Sequence, residues 1–174
     1  MQILTQSSES LISRLFQRSE GHWRSERRYY TLPEGRTQEM ESLIEIAYLP
    51  AGSAELVELA ELHSLPPEMQ LVCGAKIHWR SSAKLTGREQ SEGITLFGAL
   101  GDILYRDRGF ATSQPITALY RFTDLNTLHL RTEYNGSVFE EELKLVGERY
   151  RTRQTIISRL GEQQMIGQYL EKRI

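Results

Sequence analysis

The sequence from residue 127 to residue 158 is TLHLRTEYNGSVFEEELKLVGERYRTRQTIIS, three runs of alternating side chains separated by turn residues. The first two runs flank Asn135-Gly136, a dipeptide that favours a tight hairpin because both residues tolerate a positive φ angle. The third run follows Gly147. Short strands joined by tight turns are typical of antiparallel sheets, so this stretch predicts three consecutive antiparallel strands.

The rest of the chain contains more segments of the same kind and two helical segments. The helices are predicted over Gln6–Arg18, which carries an apolar stripe, and Ser53–His63, which ends shortly before Pro66-Pro67. Many short strands with hairpin spacing predict a mainly β protein, either a closed antiparallel barrel or a sandwich. The predicted strands are Trp23–Leu32, Met40–Leu49, Cys73–Arg80, Gly93–Leu100, Asp102–Arg106, Ile116–Thr123, Thr127–Tyr134, Ser137–Val146, Tyr150–Ser158 and Met165–Arg173.

The start of the first strand favours the barrel. Gly21-His22-Trp23 follows the opening helix and resembles the Gly-x-Trp of lipocalins, in which it closes one end of a ligand-binding cup. The resemblance implies a lipocalin-like closed antiparallel β-barrel of about ten strands with an N-terminal helix and a second short helix. We expect residues 1–174 to form one such domain.

Composition excludes several classes of protein. The 21 basic and 23 acidic residues give a formal charge of -2, which argues against nucleic-acid binding as the main task. Cys73 is the single cysteine, so no internal disulfide forms. No segment approaches the roughly 20 apolar residues of a membrane span, and no signal-peptide pattern is present, so a cytoplasmic location is expected. The four histidines lack metal-ligand spacing, so no metal site is expected.

Glu141 interrupts an otherwise apolar strand face. Phe139, Glu141, Leu143 and Leu145 alternate along one predicted strand and therefore share one face. A buried carboxylate is costly unless a cation or hydrogen-bond donor pairs with it. Glu141 is therefore a candidate for a site that takes an ionic and apolar ligand.

Arg151 and Arg153 occupy alternate positions of the next strand, and their direction depends on the turn. A two-residue loop, Gly147-Glu148, pairs Lys144 with Arg151 and turns both arginines toward solvent as part of a charge ladder. A three-residue loop ending at Arg149 pairs Leu145 with Arg151 and Leu143 with Arg153, which places both arginines on the face of Glu141. The sequence leaves both registers open.

Two further residues have alternative interpretations. Trp79 shares a strand face with Ala75 and Ile77, so it is either a core residue or a pocket wall that stacks on a flat conjugated ligand. Arg27 shares a face with Trp23. It either bonds backbone carbonyls at an end of the barrel or clamps a carboxylate, which its planar guanidinium suits well.

Seven motifs taken together resemble those of one family. They are Gly-x-Trp-x-Ser-x-Arg at Gly21 to Arg27, Cys73-Gly74-Ala75 before Trp79, Ser91-Glu92-Gly93, Arg108-Gly109-Phe110-Ala111 before Pro115, Thr132-Glu133-Tyr134, the pair Glu140-Glu141, and Arg151-x-Arg153. Over nearly the whole chain this set resembles the S-type phycobiliprotein lyases, the CpcS/CpeS chromophore lyase family of cyanobacteria and related plastids.

The resemblance implies an enzyme that binds a linear tetrapyrrole, phycocyanobilin or phycoerythrobilin, as substrate and needs no permanent cofactor. The bilin would be delivered as a thioether to a cysteine of an apo-phycobiliprotein subunit, in the cytoplasm or, for a plastid-encoded chain, in the stroma. Glu141 is similar to the family's acid near the pyrrole nitrogens, and Arg151 and Arg153 to the pair that steadies the bilin and its propionates. Trp79 is similar to the pocket tryptophan, and Arg27 to the first-strand arginine of the site. Thr155 stands where the family often has serine.

Other functions stay open from the sequence. The chain is alternatively a bilin-binding chaperone, or a non-catalytic subunit that acts with a related lyase subunit. It is also compatible with a lipocalin-like carrier of another apolar anion, such as a fatty acid. A homodimer is equally compatible with the sequence.

Overall fold

A computed structural model gives the structure of the chain, and it describes residues 6–83, 89–109 and 112–174. Within these ranges ten antiparallel strands close into a barrel in which each strand pairs with its sequence neighbours and the last strand pairs with the first. The predicted closed barrel is confirmed. The strands are β1 Gly21–Thr31, β2 Arg36–Pro50, β3 Cys73–Ala83, β4 Glu89–Leu100, β5 Ile103–Arg106, β6 Ile116–Asp124, β7 Thr127–Tyr134, β8 Ser137–Val146, β9 Tyr150–Arg159 and β10 Glu162–Arg173. Phe110 and Ala111, which belong to one of the family motifs, lie outside the described residues.

Both predicted helices are present and begin one or two residues later than predicted. Helix α1 covers Ser8–Ser19, and the side chain of its N-cap residue, Ser7, accepts a hydrogen bond from the amide of Ser10. Helix α2 covers Ala54–Leu62. In the described part of the chain, neither helix is long and apolar enough to cross a membrane.

Four strands begin earlier than the sequence pattern indicates; β1 begins two residues earlier, at Gly21, and the other three begin three or four residues earlier. β2 starts at Arg36 rather than Met40, β4 at Glu89 rather than Gly93, and β10 at Glu162 rather than Met165. Backbone hydrogen bonds of an antiparallel ladder continue through polar residues when the partner strand is present, whereas apolar alternation marks only the part that faces the core. The predicted starts were therefore too late.

Helix α1 covers one end of the barrel. Its apolar residues Ile12, Leu15 and Phe16 are buried in the main core cluster. The indole Nε1 of Trp23 donates to the backbone oxygen of Ser19 at 2.8 Å, which joins the end of α1 to the start of β1. Arg18 also ties α1 to this end of the barrel, because its guanidinium donates to Asn126 and to the backbone oxygen of Gly147, which lie in two turns there.

Candidate functional site

A cavity of about 690 Å³ occupies the barrel interior above α1. This volume lies within the range of roughly 300–1,000 Å³ that is typical of small-molecule sites. Its apolar lining includes Leu15, Phe16, Ile44, Ile77, Trp79, Phe97, Leu104, Leu128 and Leu143. Its charged lining includes Arg27, Arg106, Arg108, Glu141, Arg151 and Arg153. The combination suits a large apolar ligand that also carries ionic groups.

The turn between β8 and β9 contains three residues, so the inward register of the arginines is the one that forms. Leu145 pairs with Arg151, and Leu143 pairs with Arg153. Gly147 opens the turn at a φ of 61°, a conformation that glycine adopts without strain. Glu141, Arg151 and Arg153 therefore project from adjacent strands into one cavity.

The ionic partners differ from the single carboxylate that the sequence indicated. Arg151 Nε donates to Glu171 Oε1 at 2.6 Å, and Arg153 Nη1 lies 3.7 Å from Glu171 Oε2. Glu141 pairs instead with Arg106, whose Nη1 is 3.3 Å from Glu141 Oε1. Glu171 and Glu141 thus pair with different arginines.

Sequence reasoning missed Glu171 and Arg106. Glu171 is fully buried and lies between Ser25 of β1 and Arg151 of β9 in the closed barrel. Its only sequence signal is its alternation with Tyr169 on the inward face of β10. Arg106 follows Leu104 on the inward face of the four-residue strand β5, which is too short to show a clear period.

The charge of Glu171 is stabilised by its surroundings. Burial by itself would raise the pKa of this carboxyl group, but attraction to Arg151 and Arg153, with a hydrogen bond to Ser25, outweighs it. The net effect lowers the pKa from 4.5 to about 2. Glu171 is therefore an anion at neutral pH and serves as the counter-ion of Arg151 and Arg153.

We expect the protein to lose stability in acid because of Glu171. A folded-state pKa below the unfolded value stabilises the fold above pH 4.5, and this contribution disappears as the pH falls from about 4.5 to about 2. It amounts to about 3 kcal/mol. Urea unfolding over this pH range measures it, with Glu171→Gln as the non-titrating comparison. Parallel pH profiles for the two proteins would contradict the assignment.

Arg27 and Trp79 both reach the cavity. Arg27 Nε donates to Ser25 Oγ at 3.3 Å, and its guanidinium lies over the ring of Tyr169. Trp79 lines the cavity and also packs against the core cluster, whereas its stacking on a flat ligand stays a prediction. Gly93 lies opposite it, and a Cβ at position 93 would be 2.7 Å from the indole ring. The glycine therefore leaves room for the tryptophan side chain.

Thr155 occupies a different environment from the other predicted residues. It pairs with Glu141 across β8 and β9 and is 1% exposed. It is not among the residues that line the cavity. A direct contact between Thr155 and the ligand therefore stays a prediction.

One wall of the cavity has an excess of positive charge. Arg27, Arg151 and Arg153 are grouped around the single carboxylate of Glu171. Three guanidiniums and one carboxylate give this group a net charge of two positive units. Such a wall is suited to carboxylates of a ligand, which guanidiniums bind with directed, charge-assisted hydrogen bonds.

Comparisons with known proteins agree with this architecture. A family model described as CpeS-like protein matches residues 11–174. A Nostoc protein provisionally named phycocyanobilin lyase CpcS 2 is 64% identical over 166 residues, covering 95% of this chain and 92% of its own. A Picosynechococcus protein provisionally named chromophore lyase CpcV is 45% identical over 172 residues, covering 98% of this chain and 85% of its own.

A solved structure shares the fold. The S-type phycobiliprotein lyase CPES from Guillardia theta superposes with a TM-score of 0.78 at 22% sequence identity, and the match covers 94% of this chain and 92% of that chain. At this identity the likeness supports the barrel alone. The family assignment comes from the sequence matches: this chain belongs to the CpeS-like protein family.

Proposed function

We propose that the protein binds a linear tetrapyrrole, phycocyanobilin or phycoerythrobilin, and attaches it to a cysteine of an apo-phycobiliprotein subunit as a thioether. The observation that carries the proposal is one cavity that joins Glu141 to an arginine-rich wall and an apolar lining. The names of the related proteins, phycocyanobilin lyase and chromophore lyase, support the same reaction. The same proposal places the protein with its acceptor, in the cytoplasm or the stroma.

The cavity supplies three elements of this reaction. The carboxylate of Glu141 would contact the pyrrole N–H groups and stabilise the protonated, more electrophilic form of the bilin. Arg151 and Arg153 would bind the propionates. The apolar walls, including Trp79, would hold the conjugated system in a fixed orientation relative to the incoming thiol.

The bond-forming step balances without an oxidant or reductant. The acceptor thiol adds across the exocyclic double bond of the A ring, so sulfur bonds to the side-chain carbon and a proton ends on the adjacent ring carbon. The protein needs no nucleophile of its own. Its single cysteine, Cys73, is buried in the core, and burial raises the pKa of this thiol to about 11. Cys73 therefore does not compete with the acceptor thiol.

Absorbance spectroscopy tests the binding part of the proposal. Mixing the purified protein with phycocyanobilin is expected to shift and sharpen the visible absorption of the bilin, because the cavity fixes its conformation and protonation. An excess of fatty acid should leave this spectrum unchanged. A free-bilin spectrum, or displacement of the bilin by fatty acid, would favour the carrier of another apolar anion.

The acceptor protein distinguishes a lyase from a subunit or a chaperone. With the apo-phycobiliprotein added, a complete lyase gives bilin colour that stays on the acceptor in a denaturing gel. Colour that develops only when a related lyase protein is also present would make this chain one subunit of a two-protein enzyme. Binding without covalent colour in either mixture would make it a bilin chaperone.

A further inference from the structure

Tyr169 lies between two arginines of the cavity. In the barrel register, Arg27 of β1 pairs with Tyr169 of β10, which pairs with Arg153 of β9. The guanidinium carbon of Arg27 is 5.3 Å from the centre of the Tyr169 ring, and that of Arg153 is 4.9 Å from it. One aromatic ring therefore contacts both guanidiniums, at distances typical of cation–π interactions.

The ring of Tyr169 is itself held in place. It is 4% exposed, and the ring of Tyr29 packs edge-on against it with a centroid separation of 5.7 Å. Gly167 leaves space beneath it, since a Cβ at position 167 would lie 2.6 Å from the tyrosine Oη. A larger residue at position 167 would displace the ring, so Gly167 permits the observed orientation of the Tyr169 side chain.

The charges around Tyr169 explain why a neutral ring is needed between Arg27 and Arg153. Arg27 and Arg153 repel each other, and the one carboxylate of the group, Glu171, accepts its short hydrogen bond from Arg151. Arg153 is 3.7 Å from the other oxygen of Glu171, beyond hydrogen-bond distance. Burial raises the pKa of the Tyr169 phenol to about 12, so the ring stays neutral at physiological pH. Its π face attracts both cations without neutralising either.

We propose that Tyr169 is a positioning residue that holds Arg27 and Arg153 side by side as the binding groups for the carboxylates of the ligand. A carboxylate in place of this ring would halve the net positive charge of the wall, and an aliphatic side chain would lack the attraction of the ring for the guanidiniums. The inference rests on the proposed function and extends it, since it adds Arg27 to Arg151 and Arg153 as a binding group for the propionates of the bilin.

The affinity for phycocyanobilin and for its dimethyl ester separates positioning from a general structural role. The ester keeps the conjugated system and lacks the charges. The wild-type protein is expected to have a lower Kd for the acid than for the ester. In Tyr169→Leu this preference should fall by about tenfold, with the Kd of the ester changed by no more than about twofold. Tyr169→Phe keeps the ring and should keep the preference.

Tyr120→Leu is the matched control. It also removes a buried tyrosine ring that, like Tyr169, is outside the set of residues lining the cavity, but this ring packs edge-on against Phe122 and its hydroxyl donates to the backbone oxygen of Gly101. It should leave the preference for the acid unchanged.

Three outcomes would overturn the inference. In the first, Tyr169→Leu weakens the binding of acid and ester equally. In the second, Tyr169→Phe loses as much of the preference for the acid as Tyr169→Leu does. In the third, Tyr169→Leu binds with the same preference for the acid as the wild-type protein. Failure of the wild-type protein to bind either compound would refute the proposed function, and this inference with it. The wild-type control therefore distinguishes the two kinds of failure.

Discussion

The Glu141→Gln variant is expected to bind phycocyanobilin and to transfer it to the acceptor at least about 100-fold more slowly than the wild-type protein. Glutamine has the shape of glutamate and still accepts a hydrogen bond from Arg106, whose Nη1 is 3.3 Å from Glu141 Oε1. It cannot stabilise a protonated tetrapyrrole by charge. The rate of colour development on the acceptor, measured in a single turnover and read on a denaturing gel, gives the effect.

Glu140→Gln is a closely matched control for this experiment. Glu140 precedes Glu141 in β8, but it is exposed and pairs with Arg131 on the outside of the barrel. Its loss should leave transfer within about twofold of the wild-type rate, because a surface ion pair contributes little energy. Unchanged transfer by Glu141→Gln would refute the acid role, whatever its effect on affinity.

Glu171→Ala should lower the free energy of unfolding by about 3–5 kcal/mol, the cost of leaving a buried charge without its partner. Glu171 is fully buried and holds Arg151, which is 3% exposed, through a 2.6 Å hydrogen bond. Urea denaturation at neutral pH measures the change. Glu162→Ala, at the exposed start of the same strand, should shift stability by less than about 0.5 kcal/mol.

A second substitution tests the cause of this loss. Glu171→Ala combined with Arg151→Leu removes both charges, so the double variant should be more stable than Glu171→Ala alone. If the double variant loses as much free energy of unfolding as the two single variants together, packing at position 171, rather than the ion pair, accounts for the effect. A loss below about 1 kcal/mol for Glu171→Ala would contradict the buried-charge account directly.

Much of the barrel was predictable because its hairpins have local signals. Asn135 and Gly136 both adopt positive φ angles, which these two residue types tolerate better than others do. The turn at Gly147 was different, since glycine fits a two-residue and a three-residue loop equally well. The register there depends on the rest of the barrel, where Glu141 and the arginines share the interior with groups from distant strands.

The ionic partners were not predictable for a related reason. Glu171 meets Arg151 through the pairing of β9 with β10, which shifts register between Gln163 and Met165. An irregularity of this kind reverses which side chains face inward, and sequence alternation alone does not locate it. Arg106 reaches Glu141 across the barrel interior, 35 positions away in the sequence. Such contacts follow from closure of the sheet, which no local pattern encodes.

The mass of the acceptor subunit tests the central claim most directly. Apo-phycobiliprotein, phycocyanobilin and the purified protein are incubated together, with and without a related lyase protein, and the denatured acceptor is analysed by mass spectrometry. The proposed function predicts a gain of one bilin mass, located on a cysteine and absent when that cysteine is replaced by serine. An acceptor that gains no bilin in either mixture, or gains it equally fast without this protein, would contradict the proposed function.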